Sequence, residues 1–165
     1  DVLTSRGLGD VYKRQQECGA WSEFYTNHRL VALTAKARDQ GLFEKKHCNW
    51  VEKLCQRLDE LIPACRPSLI HGDLWSGNLL IDTSGHPVLI DPAVYYGHPE
   101  MDWAMLSLFG SYPVEALDHY QDLHPLEKGL NKRIDIHQLY PLMVHLILFG
   151  KGYLNGVEST LKKYA

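Results

Sequence analysis

Four cysteines in 165 residues, none in a C-x-x-C pair, are too few and wrongly spaced for a disulfide framework or a structural zinc site. No signal-peptide pattern accompanies them, so a reducing cytoplasm is the expected setting. Basic residues are scarce as well. Seventeen Lys and Arg against 20 Asp and Glu leave a net charge of −3, and no basic stripe offers itself to nucleic acid. No apolar run approaches the length that crosses a bilayer, which excludes a membrane partner from the expectation. No internal repeat or low-complexity tract is present. What remains is an ordinary soluble composition, 45% apolar and 22% charged, on a chain long enough for one domain with a sizeable core.

Residues 1–15, DVLTSRGLGDVYKRQ, hold no sustained helical or strand period and read as a non-native or disordered leader. From Glu17 to Gln40 the positions Trp21, Phe24, Tyr25, His28, Ala32 and Ala35 recur at helical spacing, with Gly41 as the stop. A second helix is expected with Asn49 as its cap and Glu52 reaching back. Its buried stripe would be Val51, Leu54, Cys55, Leu58, Leu61 and Ile62, and Pro63 ends it. The period then changes. Ser68–Ile70, Leu79–Ile81 and Val88–Ile90 read as short buried strands, the last two joined as a hairpin by Thr83-Ser84-Gly85-His86. After a loop rich in Pro, Tyr and Gly, helices return. Pro99 suits a first helical position, with Met101, Ala104, Met105 and Leu108 as the stripe. Further helices are expected near 113–122, 134–150 and 153–164, the second kinked or restarted at Pro141.

The dozen residues HGDLWSGNLLID, from His71 to Asp82, carry the chemistry. A loop with Asp73 and, five residues later, Asn78 can present both side chains to one cavity. The Asp can take or orient a hydroxyl proton, while the neutral amide carbonyl can ligate a hard divalent cation. Asp91, beyond the hairpin, supplies the negative ligand that Mg²⁺ prefers. Magnesium needs only one or two carboxylates when nucleotide phosphates complete its shell. This order of base, metal amide and metal carboxylate after a hairpin is the order used in phosphoryl transfer from ATP to an alcohol. Turn chemistry is the plain alternative for Asp73 and Asn78, and a strand end entering a turn is the plain alternative for Asp91. Glu100 and Asp102 are explained equally by the positive end of a helix dipole. Tyr95 and Tyr96 either line the acceptor cleft or pack beneath the loop.

HGDLWSGN followed by IDPAVYYGHPEMDWAM resembles the fructosamine/ketosamine kinase family, within the aminoglycoside-phosphotransferase-like branch of the protein-kinase fold. The Trp-Ser-Gly insert and the D-P-A-x-Y-Y-G-H-x-E-x-D run separate it from the sparser pattern of aminoglycoside and choline kinases. QLYPL and LFGKG also fit that family's C-terminal helices, so the similarity spans about the last 145 residues. The resemblance implies a mostly helical α+β lobe over residues 16–165, the C-terminal lobe of a protein-kinase-like fold with a short hairpin carrying both loops. It makes Asp73 the catalytic base and gives Asn78 and Asp91 the Mg²⁺ that bridges the ATP phosphates. It makes His71 a support of the catalytic loop, Asp102 a brace of that loop, and Trp75 a contact for the sugar. The implied partners are ATP and a ketosamine, as a small molecule or on a glycated protein.

A kinase also needs a glycine-rich loop over the nucleotide, a strand lysine and a helical glutamate. None can be placed before Trp21, where Gly7-Leu8-Gly9 stands too near the start. The expectation is therefore a chain without its N-terminal nucleotide-binding lobe, inactive by itself. Two alternatives stand beside the kinase: a catalytically silent binding lobe, and a dinuclear metal phosphoesterase using His71, Asp73, Asn78, Asp91, His98, Asp135 and His137. The phosphoesterase reading has its D-I-H segment after the other ligands and lacks long strands.

Overall fold

A computed structural model describes residues 20–110 and 114–165; the leader expected at 1–15 and the helix start at Glu17 lie outside them. Among the described residues the chain is α+β and mostly helical, with two small antiparallel sheets. It divides into two compact units, one made of described residues between 66 and 137, the other of 20–65 with 138–165.

The second unit is helical. Its first element, α1, is an α-helix at Trp21–Phe24, a π-helix at Tyr25–Val31 and an α-helix again at Ala32–Asp39. The wider π turn shifts the phase of the side chains. Phe24 and Tyr25 are buried as expected, but Arg29, Leu30 and Ala37 take the buried places expected for His28, Ala32 and Ala35. Gly41 does end the element: at φ 67° it donates to Arg38 O at 2.9 Å, and Leu42 N–H closes on Ala37 O at 2.9 Å.

Helix α2, Lys45–Cys55, begins earlier than expected and holds Asn49 in its interior. Glu44 is the cap, and its N–H donates to His47 Nδ1 at 2.8 Å. A histidine fills the role that Glu or Gln usually plays at that third position, which is why the spacing gave no signal. Val51 and Leu54 are buried in α2, and Leu58 in the short α3, Leu58–Leu61. Leu139, Met143 and Leu146 of the later turns of a 20-residue helix, and Val157 and Leu161 of the last helix, complete this core.

The first unit holds the strands. β1, Ser68–Ile70, pairs antiparallel with β4, Tyr95–Gly97, and β2, Leu79–Ile81, pairs with β3, Pro87–Leu89. β4 stands where a loop is expected, because Pro, Tyr and Gly density reads as turn chemistry. The hairpin turn is as expected: Asp82 Oδ1 accepts from Ser84 and His86 N–H, both at 2.8 Å, and Gly85 takes φ 85°. β1 buries Ile70, but the hairpin strands β2 and β3 are not buried, which corrects the expectation for them. Ile81 is 67% exposed and Leu89 53%, so an apolar run marked a strand here without marking a core strand.

Helices α4, Glu100–Leu108, and α5, Val114–Leu123, follow, with Pro99 as the α4 cap. α6, Leu130–Phe149, is a single element that carries Pro141 in its interior, and α7 is Leu154–Lys162.

Candidate active site

The loop between β1 and β2 is shaped by one glycine. Gly72 sits at φ 80°, and a Cβ there would meet Ala93 C and Tyr95 Cε1 at 3.0 Å and Ala93 O closer still. Only a residue without a side chain permits this approach. It lets His71 O accept the Ala93 N–H at 2.8 Å, tying the loop to the segment after Asp91.

Asp102, in the first turn of α4, holds the same loop from another side. Its Oδ2 accepts the His71 N–H at 2.7 Å and its Oδ1 the Gly72 N–H at 2.9 Å. Burial pushes the Asp102 carboxyl above its ordinary value, against the lowering effect of those two donors. A carboxylate held there despite that cost points to a structural requirement for two acceptors at one spot.

His71 is buried with both ring nitrogens engaged on main chain. Nε2 lies 3.0 Å from Ile90 O and must donate, and Nδ1 lies 3.3 Å from Asp73 N and must accept. One neutral tautomer satisfies both contacts. The ring therefore links the Asp73 backbone to the residue before Asp91.

Asp73 is part-exposed and Asn78 is buried. The Asn78 Nδ2 group donates to Asp73 O at 2.9 Å and to Asp73 Oδ2 at 3.2 Å. With its NH₂ committed to Asp73, Asn78 keeps the carbonyl Oδ1 as the atom able to ligate a cation. Its main-chain O accepts the Ile90 N–H at 3.0 Å. Asp91 itself is exposed at φ 50°, and among the described residues no other non-glycine has positive φ. Asp73 and Asn78 thus share one hydrogen-bonded frame, to which Ile90, the residue before Asp91, is tied. An amide carbonyl with an exposed carboxylate is the donor set a hard, water-rich cation such as Mg²⁺ takes.

Trp75 is 39% exposed, and its ring lies over Gly77, where a Cβ would come within 2.7 Å of Cζ3. Glycine in the Trp-Ser-Gly insert is thus the seat of the indole. Of the two tyrosines, Tyr95 is 3% exposed with its ring under Gly72 and Gly97, while Tyr96 is 45% exposed. Strand alternation in β4 separates them, so Tyr96 alone of the pair presents its ring outward.

A buried cluster was not expected. His98, Glu100 and His137 bring ligand atoms within 4.8 Å of one another. Arg133 already supplies the cation: Nη2 meets Glu100 Oε1 at 2.5 Å and Nε meets Oε2 at 2.9 Å, while His137 Nε2 lies 3.0 Å from Oε2. Burial alone would raise the Glu100 carboxyl, but hydrogen bonds from Arg133 and His137 outweigh it and hold the group at about 2. Burial lowers His137, which keeps that ring neutral. This is an ion pair rather than a metal centre. It also uses His98 and His137 away from Asp73 and Asp91, which removes two ligands from the phosphoesterase alternative. Sequence reading gave Glu100 only a helix-dipole role; the 33-residue separation from Arg133 hid the pair.

The sequence profile described as Fructosamine kinase matches residues 4–165. A Lactiplantibacillus plantarum protein named "Probable ketoamine kinase" is 42% identical over 146 residues, 87% of this chain and 52% of its own length. The chloroplastic protein-ribulosamine 3-kinase of Oryza sativa subsp. japonica is 36% identical over 150 residues, 87% of this chain and 42% of its own. A crystal structure described as a "putative fructosamine-3-kinase" from Thermobifida fusca superposes with a TM-score of 0.81 at 39% identity, covering 88% of this chain and 51% of that one. The chain spans about half the length of the relatives it matches. With the loop frame and these similarities together, the chain belongs to the fructosamine kinase family.

Proposed function

We propose that the protein transfers the γ-phosphoryl group of ATP to a hydroxyl of a sugar joined to an amine, and that this chain supplies the acceptor and metal half of the machinery. The relatives' names, ketoamine kinase and protein-ribulosamine 3-kinase, support the substrate class. The observation that carries the reading is the pair of bonds from Asn78 Nδ2 to Asp73, which joins the candidate base to the candidate metal amide. Asp73 Oδ accepts the hydroxyl proton as the sugar oxygen bonds to phosphorus and the bond to the ADP oxygen breaks. Asn78 Oδ1 and the Asp91 carboxylate would hold Mg²⁺, which draws charge from the transferring phosphate. Asp102 and His71 keep the loop in register, and Trp75 with Tyr96 faces the acceptor. The region reads as the C-terminal lobe of a kinase-like fold, with nucleotide-covering parts belonging to the half of the relatives that this chain does not match.

The test joins this chain to the N-terminal half of the Lactiplantibacillus relative and measures ATP-dependent phosphorylation of a fructosyl-amine. The fusion should turn over, and Asp73→Asn should lower kcat by roughly 10²–10⁴. Equal rates for the two fusions, or a folded fusion that leaves the adduct unmodified, would refute the reading.

A further inference from the structure

Phe109 follows the last residue of α4 and is 45% exposed. Its ring meets Trp75 at 79°, with centroids 6.5 Å apart. Two aromatic side chains, the types that gain most from burial, thus stand half open at a right angle. The Trp75 ring is seated on Gly77, and its main-chain N–H donates to Asp73 O at 3.2 Å, which fixes the backbone that carries the ring. The corner is therefore held two residues from the candidate base.

Two aromatic faces at a right angle are one corner of the enclosure that binds an alkylammonium ion, since each ring face is electronegative. A sugar–amine adduct differs from a plain ketose in carrying such a cation, because its secondary amine is protonated at neutral pH. Resting on the function proposed above, we infer that Phe109, with Trp75, recognises the cationic nitrogen of the adduct and sets the preference for amine-bearing sugars. The apolar C–H face of the sugar lies on the indole beside Asp73, and the nitrogen occupies the corner. Phe109 is then a specificity-determining residue, separate from the groups that move the proton or hold the metal.

The test is direct binding to the 165-residue chain by saturation-transfer NMR, without ATP, using two probes of the same carbon skeleton. One is the N-butyl fructosamine, cationic at pH 7; the other is its neutral N-butanoyl amide, with the same four carbons on nitrogen. The chain should bind the cation about fivefold more tightly. Phe109→Leu keeps apolar bulk but removes the ring face, and it should shrink the preference to about twofold, the part that Asp73 and Trp75 still supply. Phe109→Tyr should keep the preference. Asp73 attracts the ammonium equally in all three proteins, so the comparison isolates the ring. Equal affinity of the unchanged chain for both probes, a preference undiminished in Phe109→Leu, or no binding of either probe would each overturn the inference. Failure of the phosphotransfer reading would show separately, as an Asp73→Asn fusion that works as well as the parent.

Discussion

Gly72 and Gly85 have nearly the same backbone angle, φ 80° and 85°, in opposite surroundings. An alanine at Gly85 meets nothing within 4 Å, whereas one at Gly72 meets Ala93 and Tyr95. Both substitutions put a Cβ into the left-handed region, at about 1–2 kcal/mol. Both also remove chain entropy from the unfolded state, which offsets roughly 0.4–1 kcal/mol. These contributions cancel in the difference. At Gly72 the methyl must push Ala93 away, losing the 2.8 Å bond from Ala93 N–H to His71 O. An abandoned main-chain bond in a part-buried place costs roughly 1–3 kcal/mol, and the displaced contact with Tyr95 adds to it. Gly72→Ala should therefore destabilise the chain by about 2–4 kcal/mol more than Gly85→Ala in urea unfolding followed by circular dichroism. The m-values should match, so that the midpoints report stability alone. Equal midpoints would refute the claim that close approach, rather than backbone angle, makes Gly72 necessary.

Arg133→Met should cost roughly 3–5 kcal/mol in the same assay, since it leaves the buried Glu100 carboxylate without its cation. Adding Glu100→Gln to that variant should restore much of the loss, and strict additivity of the two changes would sink the ion-pair reading. The pH dependence follows with its sign. Glu100 is held at about 2 against an ordinary 4.5, so its share of stability is complete above pH 4.5 and disappears as pH falls toward 2, roughly 3 kcal/mol in all. His137, lowered by burial, begins to cost stability below its ordinary 6.5, because only the unfolded chain takes up that proton. Asp102, raised by burial, acts in the opposite sense. Unfolding midpoints from pH 7 to pH 3 should fall steadily, and Arg133→Met should flatten the segment below 4.5.

What the sequence disclosed and what it hid divide along one physical line. Signals that act within a few residues were legible: the Asp82 and Gly85 turn, the Gly41 stop, the Asp73–Asn78 spacing. Signals that depend on distant partners were not. β4 forms because Tyr95 finds Ile70 across the sheet, and nothing local to Tyr-Tyr-Gly announces that pairing. The π-helical stretch at Tyr25–Val31 adds a phase shift that a 3.6-residue count cannot anticipate. Glu44 and His47 form a cap outside the usual residue types. Most instructive is the hairpin, where Leu80, Ile81, Val88 and Leu89 are all at least 40% exposed. Apolar composition told the period of these strands and misled about their burial.

The same division explains why the candidate site was easier to read than the core. A core position can be filled by several apolar side chains, so its sequence record is diffuse. Each residue around Asp73 answers to a separate requirement. Gly72 must lack a Cβ, Asp102 must offer two acceptors to two adjacent N–H groups, and His71 must donate at one nitrogen and accept at the other. Asn78 must donate to Asp73 while keeping a carbonyl. Asp91 joins them at a cost, held at φ 50° directly before Pro92, a backbone position that disfavours both features. The bonds on Ile90 and Ala93, either side of it, fix where the chain must reverse. An aspartate in a turn where glycine would sit without strain fits the function proposed above, which asks for a carboxylate at that spot.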